Sequence, residues 1–280
     1  MKKYLVLFVF TFALIACCGA KEVVDSQSKL TEEIVDISAT ENLEVLDPTI
    51  LEQPNKPEIE KEIDIAEAFD HSVLNDLLQK YVSVQGNVNY NGFKSDRIAL
   101  RNYISSLGEN MPLNSWSKED KLAYWINAYN ALTIDLILRN TSVKSIKDIK
   151  DPWDQRLWKL GSKWYSLNQI EHEILRKMNE PRIHFAIVCA SVSCPKLQNE
   201  AFTASNLEIQ LTNSTKEFLS DSSKNKLSRN SVKLSKIFKW FAKDFKHNQS
   251  LIDFLNKYSN IQISQNASKS YMDYNWDLND

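Results

Sequence analysis

The chain has 280 residues, 43% of them hydrophobic and 25% charged, with 34 Lys and Arg against 36 Asp and Glu. These are the proportions of an ordinary globular protein. Five Gly and seven Pro beside seven Trp, ten Tyr and twelve Phe argue against a collagen-like repeat, a largely disordered chain and a glycine-rich phosphate binder, and the mixed charge leaves no basic stripe for nucleic acid.

Residues 1–20 run from a Lys2-Lys3 head through an apolar stretch, Tyr4 to Ala16, into small residues, the pattern of a secretion signal. Leu14-Ile15-Ala16-Cys17 resembles the bacterial lipoprotein box, which implies cleavage after residue 16 and a lipid on Cys17. Cys18, where an Asp would favour retention at the inner membrane, tilts the expected cell-envelope location toward the outer membrane. Residues 21–67 hold fourteen acids, four bases, no aromatic residue and Pro48, Pro54 and Pro57. So little apolar surface cannot offset chain entropy, so residues 17–67 read as the lipidated Cys and an acidic flexible spacer. Residues 68–280 read as one folded body.

Within the body, Val82 to Tyr90 alternates apolar and polar residues and ends at Asn91-Gly92, which predicts a strand and a turn. Ser117, with Asp120 three residues on, opens LAYWINAYNALTIDLIL, a long helix apolar on nearly all sides and therefore buried. Ser166 with Gln169 opens a second helix, QIEHEILRKM, and Ser235 precedes a third, IFKWFAKDF, with Ile237, Phe238, Phe241 and Phe245 on one face. Ile183 to Cys189 is a β-favouring run, and Tyr271 to Leu278 alternates as a further strand. The expected class is α+β: a helix-rich single domain with a small β-sheet.

The phrases YWINAYNALT (124–133), SLNQIEHEILR (166–176), PRIHFAIVCASVSCP (181–195), LSKIFKWFAKDF (234–245) and YMDYNWDLN (271–279) together resemble the DUF547 family over about residues 68–279. The resemblance implies a fold family, found in bacterial exported proteins and in plant proteins behind a leucine zipper. It implies no activity, which has to come from the residues.

Candidate chemistry gathers in four places. Asn127 and Asn130 share a face of the apolar helix, where each must satisfy its amide, on loop backbone or in a cleft. Glu171 and His172 are adjacent, and His172 and Arg176 are four apart on one helical face. His184 opens the apolar run, on the opposite strand face from Cys189, and Cys194 follows in the turn before Pro195.

Four readings of Cys189 and Cys194 stand open. A thiolate at Cys194, activated by His184 or His172 with Asn127 as orienter or oxyanion donor, resembles the Cys-His-Asn set of papain-like and transglutaminase-like enzymes, although those open the buried helix with the cysteine. A disulfide suits an exported chain. Zinc held by both cysteines, His172 and His184 lacks ligand spacing. A core strand and turn in a binding or scaffolding module is the fourth. Asn130, Glu171 and Arg176 are candidate binding residues for an envelope protein, peptide or glycan, and no cofactor or metal is implied. Ser191 and Ser193 lie outside any G-x-S-x-G, and the sequons at Asn140, Asn213, Asn248 and Asn266 are incidental behind a lipoprotein box.

Overall fold

The computed structural model describes residues 67–140, 142–247 and 249–280. The signal sequence, Cys17 and all but the last residue of the acidic segment lie outside the described residues.

One helix organises the body. Helices α1 (Ser72–Tyr81), α2 (Tyr90–Ser95) and α3 (Arg97–Glu109) precede the 22-residue α4 (Lys118–Arg139), whose N-cap Ser117 accepts from the Asp120 backbone N–H. Every side chain from Leu122 to Leu138 is buried, as an all-round apolar pattern requires. Helices α2 and α3 and the segment 169–178 pack around it. The class is α+β, since the sheets are small: β1 (Trp158–Leu160) pairs antiparallel with β2 (Lys163–Tyr165), while β3 (Lys226–Leu227) lies antiparallel to β4 (Ser231–Leu234), itself parallel to β5 (Ser268–Tyr271). A second apolar cluster joins α5 (Leu207–Ser220), β4, α6 (Ile237–Trp240) and α7 (Leu251–Tyr258) around Phe218, Phe238, Phe245 and Phe254. Phe185 plugs into it, 5.0 Å from Phe218 and 5.6 Å from Phe245 between ring centroids. Among the described residues no helix is long and apolar enough to cross a membrane.

Three expected strands are corrected, each for a local reason. Over Val82 to Tyr90 only Val82 and Val88 bridge, because Asn89 caps α2 by accepting from the Gly92 N–H, and Asn91-Gly92 is thereby drawn into that helix. Ile183 to Cys189 is not a strand. Pro181 stands in the first turn of a 3₁₀ helix, Pro181–Phe185, and the Glu180 carboxylate accepts from the Arg182 N–H at its start. Beyond it, Asn130 does what a neighbouring strand would do: its Nδ2 donates to the Ala186 carbonyl at 2.9 Å and its Oδ1 accepts from the Val188 N–H at 3.0 Å. Tyr271 to Leu278 leaves the sheet after Tyr271 and crosses the body as a strap, pinned by single bridges from Asp277 to Ser145 and from Leu278 to Ser191.

The second and third expected helices are also altered. Ser166 and Gln169 cap each other as predicted, with Gln169 N–H to Ser166 Oγ 3.3 Å and Ser166 N–H to Gln169 Oε1 3.4 Å. Beyond that cap the chain makes one wide π turn, Gln169–Ile174, and tightens into a 3₁₀ turn, Leu175–Met178. The run after Ser235 breaks at Phe241 and resumes as a 3₁₀ turn, Asp244–Lys246. Ile237, Phe238 and Phe245 are buried as expected, with Phe241 half-buried at the break.

Candidate functional site

The π turn, the Pro181 turn, the 189–195 loop, α6 and the C-terminal strap converge on a cleft of about 240 Å³. Its aromatic lining comes from Tyr129, Trp153, Trp240, Phe241, Tyr274 and Trp276. Alternation along the strap sends Tyr274 and Trp276 to one side, where their rings lie 4.6 Å apart and Trp240 stacks on Trp276 at 5.8 Å. Glu171, His172, His184, Cys189 and Cys194 also line it. A larger hollow of about 930 Å³ lies beside α2 and the end of α4, but among the described residues it gathers no imidazole, sulfur or buried carboxylate.

The wide turn divides two consecutive side chains between wall and mouth. Glu171 is 7% exposed. Its Oε2 accepts from the Tyr129 hydroxyl at 3.2 Å, and burial, only partly offset by that bond and by the Arg176 charge, pushes its carboxyl up to about 7. His172 is exposed, and its Nδ1 lies 3.0 Å from Arg176 Nη1. Arginine only donates, so Nδ1 accepts and a neutral His172 carries its proton on Nε2. Partial burial and the Arg176 charge lower the His172 pKa.

Behind this pair sits an aspartate that the sequence reading missed. Asp244 accepts a two-pronged bond from Arg176, Nε at 2.6 Å and Nη2 at 2.8 Å, and lies 2.8 Å from His184 Nε2. Burial would raise its carboxyl, but the bonds from Arg176 and His184 outweigh it and hold the group well below the usual carboxylate range. His184 is buried against Phe241, ring centroids 4.0 Å apart, and burial lowers its pKa against the pull of Asp244. The neutral ring therefore donates from Nε2 to Asp244 and keeps a lone pair on Nδ1.

The sulfurs are joined. Cys189 and Cys194 form a disulfide, Cα atoms 6.1 Å apart, and the Tyr274 hydroxyl lies 3.2 Å from one sulfur and 3.4 Å from the other. A bridged Cys194 has no thiolate to offer, so among the four readings the oxidised structure holds the disulfide. Bridged sulfurs are not zinc ligands, and among the described residues no three His, Cys, Asp or Glu are arranged to hold a metal.

Of the remaining candidates, Asn127 and Asn130 do not face the cleft. Asn127 Nδ2 donates to the Phe202 carbonyl at 2.7 Å and its Oδ1 accepts from the Phe202 N–H at 3.0 Å, while Asn130 holds 186–188. Their amides are spent on loop backbone. The structure does bring His172, His184, Glu171 and both sulfurs to one cleft, contrary to the separation expected from a regular strand, because a 3₁₀ turn does not alternate. Arg176 stands behind the cleft and orients Asp244 and His172. Asp244, Tyr274 and Trp276 lay inside two of the five quoted phrases, but no spacing along the chain connects them to residue 184.

Residues 113–219 match the family model described as "Protein of unknown function, DUF547". This part of the chain is a DUF547 region. It contains the phrases at 124–133, 166–176 and 181–195, whereas the phrases from 234 onward, which bring Asp244, Tyr274 and Trp276 to the cleft, lie C-terminal to the matched DUF547 segment. Comparison with curated proteins and with solved structures finds no match.

Proposed function

We propose that the protein is a cell-envelope binding module, tethered by a lipid on Cys17 with the outer membrane favoured, whose ligand site is the aromatic cleft beside Glu171. The observation that carries this is a formed cavity walled by six aromatic side chains, with its sulfurs sequestered in a disulfide and a buried carboxyl on its wall. Clefts of this make-up, mostly apolar with a few polar groups, are where ligands bind. A peptide-like or glycan segment from the envelope suits the exported location.

The test uses soluble peptidoglycan fragments that carry both glycan and peptide, titrated into the full-length protein while the indole N–H resonances of Trp153, Trp240 and Trp276 are followed by NMR. Saturable shifts that are lost in Trp240→Ala are expected. Unmoved indoles would remove the cleft as the site for this class.

One observation favours a second reading, a thiol-dependent hydrolase or acyltransferase acting on peptide-like bonds. His184, oriented by Asp244, lines the same cleft as both sulfurs, so a reduced Cys194 would have a histidine and a carboxylate nearby. Iodoacetamide near neutral pH separates the two, because only a thiolate reacts fast. The binding module leaves native protein unlabelled and, after reduction, reacts at the rate of an ordinary thiol. Rapid labelling of Cys194 after reduction, together with cleavage of the same fragments, would establish the enzyme.

A further inference from the structure

Glu171 has an oxygen to spare. Its Oε2 is taken by Tyr129, and Oε1 has no hydrogen-bond partner among the described residues. The buried side-chain atoms sealed without a partner among the described residues are Arg97 Nε and Asp135 Oδ1, so Glu171 Oε1 is open to the cleft that its side chain lines. Arg176, the cation whose charge acts on Glu171, is committed elsewhere: it gives two bonds to Asp244 and one to His172. A carboxylate that is nine-tenths buried is costly unless a cation or strong donor meets it, and here the empty side of the group is cavity. The walls suit a cation too. Aromatic faces attract positive charge, and rings of this cleft already do so from outside, with Lys147 Nζ 5.2 Å from the Trp276 centroid and the Arg176 guanidinium 5.3 Å from that of Phe241.

Resting on the cleft being a ligand site, we propose that its ligand presents a primary ammonium group to Glu171 Oε1 and lays its alkyl stem along the aromatic wall. The ammonium donates an N–H to the carboxylate and no bond is made or broken. A cavity of about 240 Å³ admits a side-chain-sized amine. The charged form of Glu171 is needed, and this group titrates at about 7. Tyr129, Arg176, Asp244 and Tyr274 act on it directly, and His172 and His184 share the cleft with pKa values lowered by burial, so a pH effect that survives His172→Gln is assigned to Glu171.

The probes are n-butylamine and its neutral counterpart 1-butanol, titrated into the full-length protein at pH 6 and pH 8 with the same indole resonances as readout. Butylammonium binds at least tenfold tighter than 1-butanol at pH 8 and weakens about tenfold at pH 6, as the ionised fraction of a group near 7 requires. Glu171→Gln removes the preference for amine over alcohol, and His172→Gln keeps the pH dependence. Nα-acetyl-lysine amide serves as the side-chain form of the ligand: tighter binding than n-butylamine supports a peptide source, weaker binding a free amine. Equal binding of amine and alcohol, or an amine affinity flat across this range in the wild-type protein, overturns the ammonium assignment while the cleft stands as a site. Silence from amine and alcohol overturns it as well, and silence from the peptidoglycan fragments besides removes the cleft.

Discussion

At the residue scale, two asparagines replace absent strands. Asn127 and Asn130 each offer one donor and one acceptor to a loop whose backbone has no sheet neighbour, and both are almost fully buried. Removing one amide orphans a buried N–H and a buried C=O together, at about 1–3 kcal/mol each. Asn130→Ala should therefore lower the unfolding free energy by roughly 2–6 kcal/mol in urea titration, and a loss below about 1 kcal/mol would mean that water replaces the amide. Glu171 works in the opposite direction. Its folded pKa, about 7, lies above the 4.5 of a free carboxyl, so the folded state holds the proton more tightly. The stability this contributes is fully present below about pH 4.5 and is lost as pH rises through 7. A shift of this size corresponds to about 3 kcal/mol, so Glu171→Gln should stabilise the protein at pH 8 by up to that amount and change little at pH 4.5. Melting curves at both pH values check it, and a pH-independent difference would show that the carboxyl is not buried as a charge.

At the element scale, short turns set the site where long regular elements were expected. The π turn after Ser166 accommodates an extra residue per turn, which puts Glu171 in the wall and His172 at the mouth, and such turns recur at functional sites. The Cys189–Cys194 loop carries Ala190 with φ 54°, a left-handed conformation that costs an alanine about 1–2 kcal/mol. Ala190→Gly should raise the unfolding free energy by up to about 1 kcal/mol in urea titration, the gain being reduced by the extra freedom of glycine in the unfolded chain. Packing between α1 and α2 has the reverse requirement. A Cβ on Gly92 would meet Cδ1 of the Tyr81 ring well inside contact distance, so Gly92→Ala should destabilise by about 1–3 kcal/mol, and a neutral result would show that the Tyr81 ring swings aside.

At the scale of the whole molecule, the cleft depends on the chain closing on itself. The strap from 271 to 279 lies more than seventy residues beyond the disulfide loop, yet Val192 N–H donates to the Asp277 carbonyl at 2.8 Å and Asn275 N–H to Ser193 Oγ at 2.8 Å. The lipid anchor and acidic spacer, proposed from residues 1–67, are tested on the intact protein. Cys17→Ser should move it from the membrane fraction to the soluble one, since the acyl chain is its attachment, and equal retention would remove the anchor. Limited proteolysis should cut within 21–67 first and leave a resistant body starting near Ala68, whereas early cuts within 117–190 would refute that boundary.

What the sequence determined by itself is what lies close along the chain. The buried helix capped by Ser117, the pairing of Ser166 with Gln169 and the contact of His172 with Arg176 each rest on one continuous stretch of chain, where local chemistry decides, and the α+β class on the sum of such stretches. DUF547 membership of residues 113–219 was legible in the same way, from phrases. Tertiary structure decided the rest. Whether Ile183 to Cys189 became a strand depended on Asn130, more than fifty residues upstream, already satisfying its backbone. The orienter of His184 was settled by Asp244, sixty residues downstream, and the aromatic wall by a tail folding back across the body. A β-favouring run has no knowledge of which partner will reach its amides first, and a histidine has none of which carboxylate will be packed against it. Only the closed chain supplies those neighbours, because burial, not sequence distance, decides which polar groups must find one another.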